Sequence, residues 1–205
     1  MTDQNIDFEK LQDELSDTAM DALSFIRFYE KNMEAIEGLD DSDANQKQFK
    51  FRMRGDYGLS LAAAGITAKA TDVLREFVPR FERESGLSAE ERLKNPYYEG
   101  LLWSLGSCSY YTAHVGDTEK AFQQLVRMSP DNVKYRNWLM STRERRFKLP
   151  RRIIYTSAII WAFCSFVFLQ FMEGTLKGMF LLIGPLLMVL ILVMEGYIYF
   201  YKKRI

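Results

Sequence analysis

Two long apolar runs crowd the C-terminal end of this chain and limit what it can fold into more than any other feature. Ile153 to Met172 is twenty residues without a charge. A second run starts at Met179, passes Met194 and continues to Tyr201 with one carboxylate, Glu195. A helix needs about 20 predominantly apolar residues to cross a hydrocarbon core of about 30 Å. Both runs meet that length, and the link from Glu173 to Lys177 has room only for a tight turn. The pattern predicts a transmembrane helical hairpin with spans at about 153–172 and 177–199.

The flanks of that hairpin set its orientation. Arg143, Arg145, Arg146, Lys148, Arg151 and Arg152 precede the first run, and Lys202, Lys203 and Arg204 follow the second. The turn offers only Lys177 and Glu173. Basic residues near span ends stay on the cytoplasmic side. The expectation is an integral membrane protein with both termini cytoplasmic, in a bacterial inner membrane or the eukaryotic endoplasmic reticulum. Lys202, Lys203 and Arg204 before Ile205 also resemble a dilysine retrieval signal, which would suit the second compartment. Tyr197, Tyr199, Phe200 and Tyr201 fit an interfacial aromatic belt on the same side. Juxtamembrane bases attract anionic headgroups by about 1 kcal/mol each, so membrane lipids, anionic ones included, are expected partners. Glu195 is expected to find its counter-charge among the interfacial bases, Lys202 included. Gly184 and Pro185 predict a kink or a helix–helix contact. Met1 to Glu14 has neither a basic start nor an apolar core, so insertion is expected to rely on the hairpin.

Overall charge neutrality hides a split. Residues 1–142 hold 17 basic against 24 acidic side chains, and residues 143–205 hold 10 against 3. The first 46 residues hold 3 against 13. An acidic soluble region argues against nucleic acid as a partner. Three regions follow: an acidic N-terminal helix and linker at 1–46, a helical domain at 47–149, and the hairpin with its basic tail at 150–205. Of the two cysteines, Cys108 falls in the soluble part and Cys164 in the first apolar run, so they cannot form a metal site on their own.

Everything before the hairpin reads as helix, giving an all-α fold class. Phe8, Leu11, Leu15, Ala19, Ala22, Ile26, Tyr29, Met33 and Ile36 recur at spacings of three and four, predicting one amphipathic helix ended by Gly38. Leu23, Phe25 and Phe28 broaden the stripe, which favours packing onto its own domain over a homo-oligomeric seam. Ser88 with Glu91 forms a capping box that starts a further helix. Val133 to Phe147 predicts a helix with Tyr135, Trp138 and Leu139 inward, followed by Leu149 and Pro150.

An internal repeat lies within the helical domain. Gly65, Thr67, Lys69, Ala70, Leu74 and Pro79 recur 51 residues later as Gly116, Thr118, Lys120, Ala121, Leu125 and Pro130. Each copy follows a stretch rich in small residues, so each reads as helix, glycine turn, helix. Glycine supplies a left-handed turn, alanine allows close approach, leucine four residues on fills the same face, and proline closes the second helix.

This pattern, with Pro130, Asp131 and Asn132 closing the second unit, resembles a tetratricopeptide repeat across residues 50–80 and 100–132. The spacing exceeds the usual period of about 34 residues. The resemblance implies antiparallel helix pairs whose first helices line a concave surface that binds another protein. By that analogy Arg52, Leu59, Trp103, Gly106 and Tyr110 face the partner, and the chain is a membrane-anchored adaptor or scaffold. The alternative is a self-assembling two-span effector or channel component, suggested by the seam and by Thr156, Ser157 and Ser165.

Catalytic chemistry has little to build on. His114 is the single histidine and sits where a predicted helix ends, which suits a capping role better than a metal site or triad. No glycine-rich phosphate loop follows a strand. The expectation is no enzyme activity and no cofactor.

Overall fold

A computed structural model of the chain describes residues 8–16, 21–168 and 175–203, with side chains at 165–168, 175–181 and 202–203 excepted. The described residues are helical and include no strand. The helices are α1 (Phe8–Ser16), α2 (Ala22–Lys31), α3 (Met33–Glu37), α4 (Ala44–Ala63), α5 (Thr67–Glu84), α6 (Ala89–Leu93), α7 (Pro96–Tyr111), α8 (Val115–Met128), α9 (Val133–Phe168) and α10 (Thr175–Lys203). Two compact units divide the chain, Met1–Arg136 and Asn137–Ile205, and the division falls inside α9.

Short polar side chains fix where the helices of the first unit begin. Asp21 accepts the Ser24 amide at 2.7 Å, and Asp43 accepts those of Asn45 and Gln46 at 2.8 and 3.3 Å. Asn95 takes the amides of Tyr97 and Tyr98 at 2.9 and 3.1 Å, with Pro96 at the first helical position where its missing N–H costs nothing. The Ser88–Glu91 capping box forms in both directions, at 2.8 and 3.2 Å.

Gly58 and Leu74 meet across α4 and α5, Phe81 stacks on Tyr98 across α5 and α7, and Gly106 lies under Phe122 across α7 and α8. Gly55 meets Phe77 in the first pair and Thr71 meets Thr112 in the second. In the first two pairs a step back along one helix is matched by a step forward along the next, so α4, α5 and α7 run antiparallel in turn. The repeat leucines and alanines are the centre of this packing. Ala70, Leu74, Ala121 and Leu125 are all buried. The N-terminal helices cover the outer side of α4: Tyr29 stacks on Tyr57 with ring centres 4.1 Å apart, and Leu11, Ile26 and Ile36 are buried with them.

Several boundaries differ from those the sequence suggests. The expected single N-terminal helix is three helices, because Asp21 starts a new one and Asn32 separates α2 from α3; Ala19 lies outside the described residues. Pro79 sits inside α5, which runs on to Glu84 because Phe77, Val78 and Phe81 are buried on both sides of it. The two repeat copies turn at different points. The α4–α5 turn uses Gly65 at φ 75°, whereas the α7–α8 turn uses Ala113 at φ 64°. Gly116 therefore lies inside α8, which begins one turn earlier than its counterpart. Pro150 interrupts nothing either, since α9 continues through it.

In the second unit α9 and α10 make a ladder of antiparallel contacts. Phe147 meets Tyr197 and Tyr201 edge-on, Arg151 meets Glu195, and Trp161 packs on Gly184. A Cβ at Gly184 would come within 2.2 Å of the Trp161 ring, so only glycine permits this approach. Within α10, Leu182–Tyr201 is long and apolar enough to cross a membrane. The turn between the two helices lies outside the described residues.

Candidate functional site

Two places in the described residues have the character of a site, one in each unit. In the first, the N-terminal half of α4, the C-terminal half of α5 and the start of α7 surround a groove of about 580 Å³. Phe51, Phe81, Leu87 and Tyr97 give it an apolar floor, and Lys47, Arg52 and Arg80 rim it with Glu84. The floor is held by rings: Phe51 stacks on Phe81 at 6.0 Å, and Phe81 meets Tyr97 at 5.8 Å. Arg80 lies over Phe51 at 5.6 Å and pairs with Glu84 at 2.9 Å.

Tyr97 anchors this corner. Its hydroxyl donates to Asp56 at 2.9 Å, and Asp56 also faces Arg52 at 3.5 Å. Burial, reinforced by the Asp56 charge, pushes the Tyr97 phenol well above its ordinary value. Tyr98, beside it, donates to Glu82 and is raised for the same reasons. Both phenols therefore act as fixed donors.

The residues expected to face a partner do not form one surface. Arg52 is exposed on the groove rim. Leu59 is half-buried two turns along α4. Trp103 is half-buried between Phe122 and Tyr135, each 5.8 Å away, with the Lys134 ammonium 3.8 Å over its ring. Gly106 is buried, and a Cβ there would stand 3.1 Å from Phe122. Tyr110 is half-buried near the end of α7 against Tyr111. Sequence reasoning missed Phe51, Arg80, Phe81 and Tyr97, because three helices far apart in the chain must meet before they share a wall.

His114 stands at the start of α8 rather than capping α7 with its ring. Its backbone N–H closes α7 on the Ser109 carbonyl at 2.9 Å, and its Nδ1 lies 3.0 Å from the Thr112 hydroxyl. Cys108 is buried, which raises its thiol above the usual range. Among the described residues no group of three His, Cys, Asp or Glu side chains could hold a metal ion.

In the second unit, the basic segment of α9 divides between two faces. Arg143 reaches the Tyr201 carbonyl at 3.4 Å and lies 5.3 Å from its ring, and Arg146 reaches its hydroxyl at 3.3 Å. Arg151 pairs with Glu195 at 2.8 Å, and Tyr155 donates to the same carboxylate at 3.0 Å. The counter-charge of Glu195 thus comes from the facing helix. Arg145 is half-buried, and Lys148 and Arg152 are exposed. The side chains of Lys202 and Lys203, and all of Arg204, lie outside the described residues. Thr156 and Ser157 spend their hydroxyls on carbonyls of their own helix, at 2.8 and 2.9 Å, while the Ser165 side chain lies outside the described residues.

Comparison with known proteins finds no matching family model, no matching curated protein and no matching solved structure.

Proposed function

We infer that this chain is a membrane-anchored adaptor: a tetratricopeptide-like helical domain that holds another protein at the cytoplasmic membrane face, tethered by a two-span hairpin. The observation that carries the anchor is the distribution of exposed side chains along α9 and α10. At one end the two helices join through Arg143, Phe147, Arg151, Glu195, Tyr197 and Tyr201. Beyond that end the described surface is predominantly apolar, with Ile159, Phe163, Leu182, Leu186 and Leu192 each about 70% exposed. Contiguous apolar surface on this scale is not left to water. A bilayer covers it, and the charged and aromatic end then marks the interface.

The adaptor half of the reading is supported by the groove beside Arg52. An aromatic floor with a basic rim suits a peptide or helix carrying apolar anchors and acids. The alternative, a self-assembling channel component, draws no support from Thr156 or Ser157, whose hydroxyls are already bonded within α9.

Two measurements test the reading. Protease added to sealed vesicles, cytoplasmic face outward, should digest the first 150 residues and spare a hairpin fragment; protection of the helical domain reverses the orientation. A photo-crosslinker at Lys47, on the groove rim, should capture the same protein repeatedly from native membranes, and Arg52→Glu should remove that product. Equal capture from an exposed position outside the groove, such as Lys120 on α8, would refute the groove.

A further inference from the structure

The basic segment before the hairpin looks uniform in sequence, but a continuous helix through Pro150 assigns each base to a definite face. Successive helical positions turn by about 100°. Arg143, Phe147 and Trp161 point toward α10, where each has a contact. Arg151 and Arg146 flank that direction and also bond to α10. Arg145, Lys148 and Arg152 fall on the opposite face, within an arc of about 60°. The same stripe continues down the helix through Thr156, Ile159 and Phe163, all exposed.

We propose that Arg145, Lys148 and Arg152 form a docking stripe for the anionic phosphate headgroup of a membrane lipid, whose acyl chains lie along Ile159 and Phe163. This rests on the membrane reading above and adds a ligand and an address to it. Axial position supports it independently of charge. Arg152 and Arg145 are about 10 Å apart along the helix, and the headgroup layer beyond each hydrocarbon boundary is about 5–8 Å thick. With the boundary at Ile153, Arg152 and Lys148 stand inside that layer and Arg145 reaches it from the outer edge on its long stem.

The two sets of bases thus do different things. Arg143, Arg146 and Arg151 bond to α10, while Lys148 and Arg152 lie exposed on the far face with the half-buried Arg145 at the outer end of the stripe. A base near an anionic surface strengthens attraction by about fivefold, so three together amount to roughly 100-fold at low salt and less as salt screens them.

The test uses the full chain reconstituted in phosphatidylcholine vesicles with or without phosphatidylglycerol, then extracted gently for native mass spectrometry. The wild-type chain should carry phosphatidylglycerol in excess of its share of the bilayer, and added inorganic phosphate should not displace it. R145Q/K148Q/R152Q should lose that enrichment by tenfold or more while resisting alkaline carbonate extraction as before. K47Q/R83Q, which removes two exposed bases of the helical domain, should retain it. Enrichment that survives the triple substitution overturns the stripe, as does equal loss in K47Q/R83Q, which would signal bulk charge alone. A wild-type chain that resists carbonate but shows no enrichment also overturns it. Release of the wild-type chain by carbonate would instead defeat the membrane reading itself.

Discussion

Gly55→Ala is the sharpest test of how α4 packs, because one added carbon would collide with two fixed groups. A Cβ there would stand 2.3 Å from the Tyr97 hydroxyl and 2.6 Å from the Phe77 ring. Phe77 cannot retreat, since it is 1% exposed and wedged against Phe51 and Phe81. Overpacking a filled core costs about 1–3 kcal/mol. Moving the Tyr97 hydroxyl also breaks its bond to Asp56, and a hydrogen bond to a charged group contributes about 1.5–3 kcal/mol. Alanine returns up to about 1 kcal/mol through helix propensity. The net expectation is destabilisation by about 3 kcal/mol. Gly116→Ala is the matched control: it lies inside α8 with nothing within 4 Å, so the propensity gain stands alone and stability should rise by up to about 1 kcal/mol. Urea unfolding of the full chain in detergent, followed by circular dichroism, reads both. A Gly55→Ala midpoint equal to wild type, or shifted in the same direction as Gly116→Ala, would refute the close approach of α4 to α5 and α7.

Alkaline pH should weaken the fold through its tyrosines. Burial raises Tyr97 and Tyr98 above their ordinary value of 10 and Tyr135 to about 12, so their contribution is intact below pH 10 and is lost as pH climbs through the folded-state values. A urea midpoint that stays flat from pH 10 to about 12 would contradict this. In the second unit, Arg151→Leu should destabilise more than Glu195→Gln, because the first leaves the half-buried Glu195 carboxylate without its counter-charge, with the Tyr155 hydroxyl still on it, while the second leaves an arginine whose long stem can carry its charge away from α10. Melting temperatures of both variants in lipid nanodiscs give the order, and the reverse order would place the pair in open water.

Local signals in the sequence carried well. The Ser88–Glu91 capping box, the left-handed Gly65 and the buried positions Ala70, Leu74, Ala121 and Leu125 each depend on neighbours within a few residues, so composition and spacing disclose them. Breaks were harder. Pro79 and Pro150 read as stops, yet α5, with Phe77, Val78 and Phe81 buried around Pro79, tolerates one missing hydrogen bond, and α9 runs through Pro150 although its neighbours there are exposed. The α7–α8 turn was misplaced by one helical turn because Ala113, not a glycine, takes the left-handed position. The groove was illegible for a different reason: Arg52, Arg80 and Tyr97 are remote in sequence, and only the antiparallel stacking of α4, α5 and α7 brings them to one wall.

The tyrosines of the first unit act as gauges of alignment. Tyr57 donates to Glu30, Tyr97 to Asp56, Tyr98 to Glu82 and Tyr135 to Glu99, and each bond joins two different helices. Leucine against leucine is indifferent to sliding, whereas a rigid ring ending in one donor is satisfied at one offset only. A slip of a single helical turn moves the acceptor about 5.4 Å and leaves a phenol, buried at Tyr57, Tyr98 and Tyr135, without its acceptor. Exchange among Leu, Ile and Met in this core should therefore leave the arrangement recognisable. Removing the tyrosine–carboxylate pairs one after another should yield a domain that keeps its helices but no longer settles on a single way of stacking them.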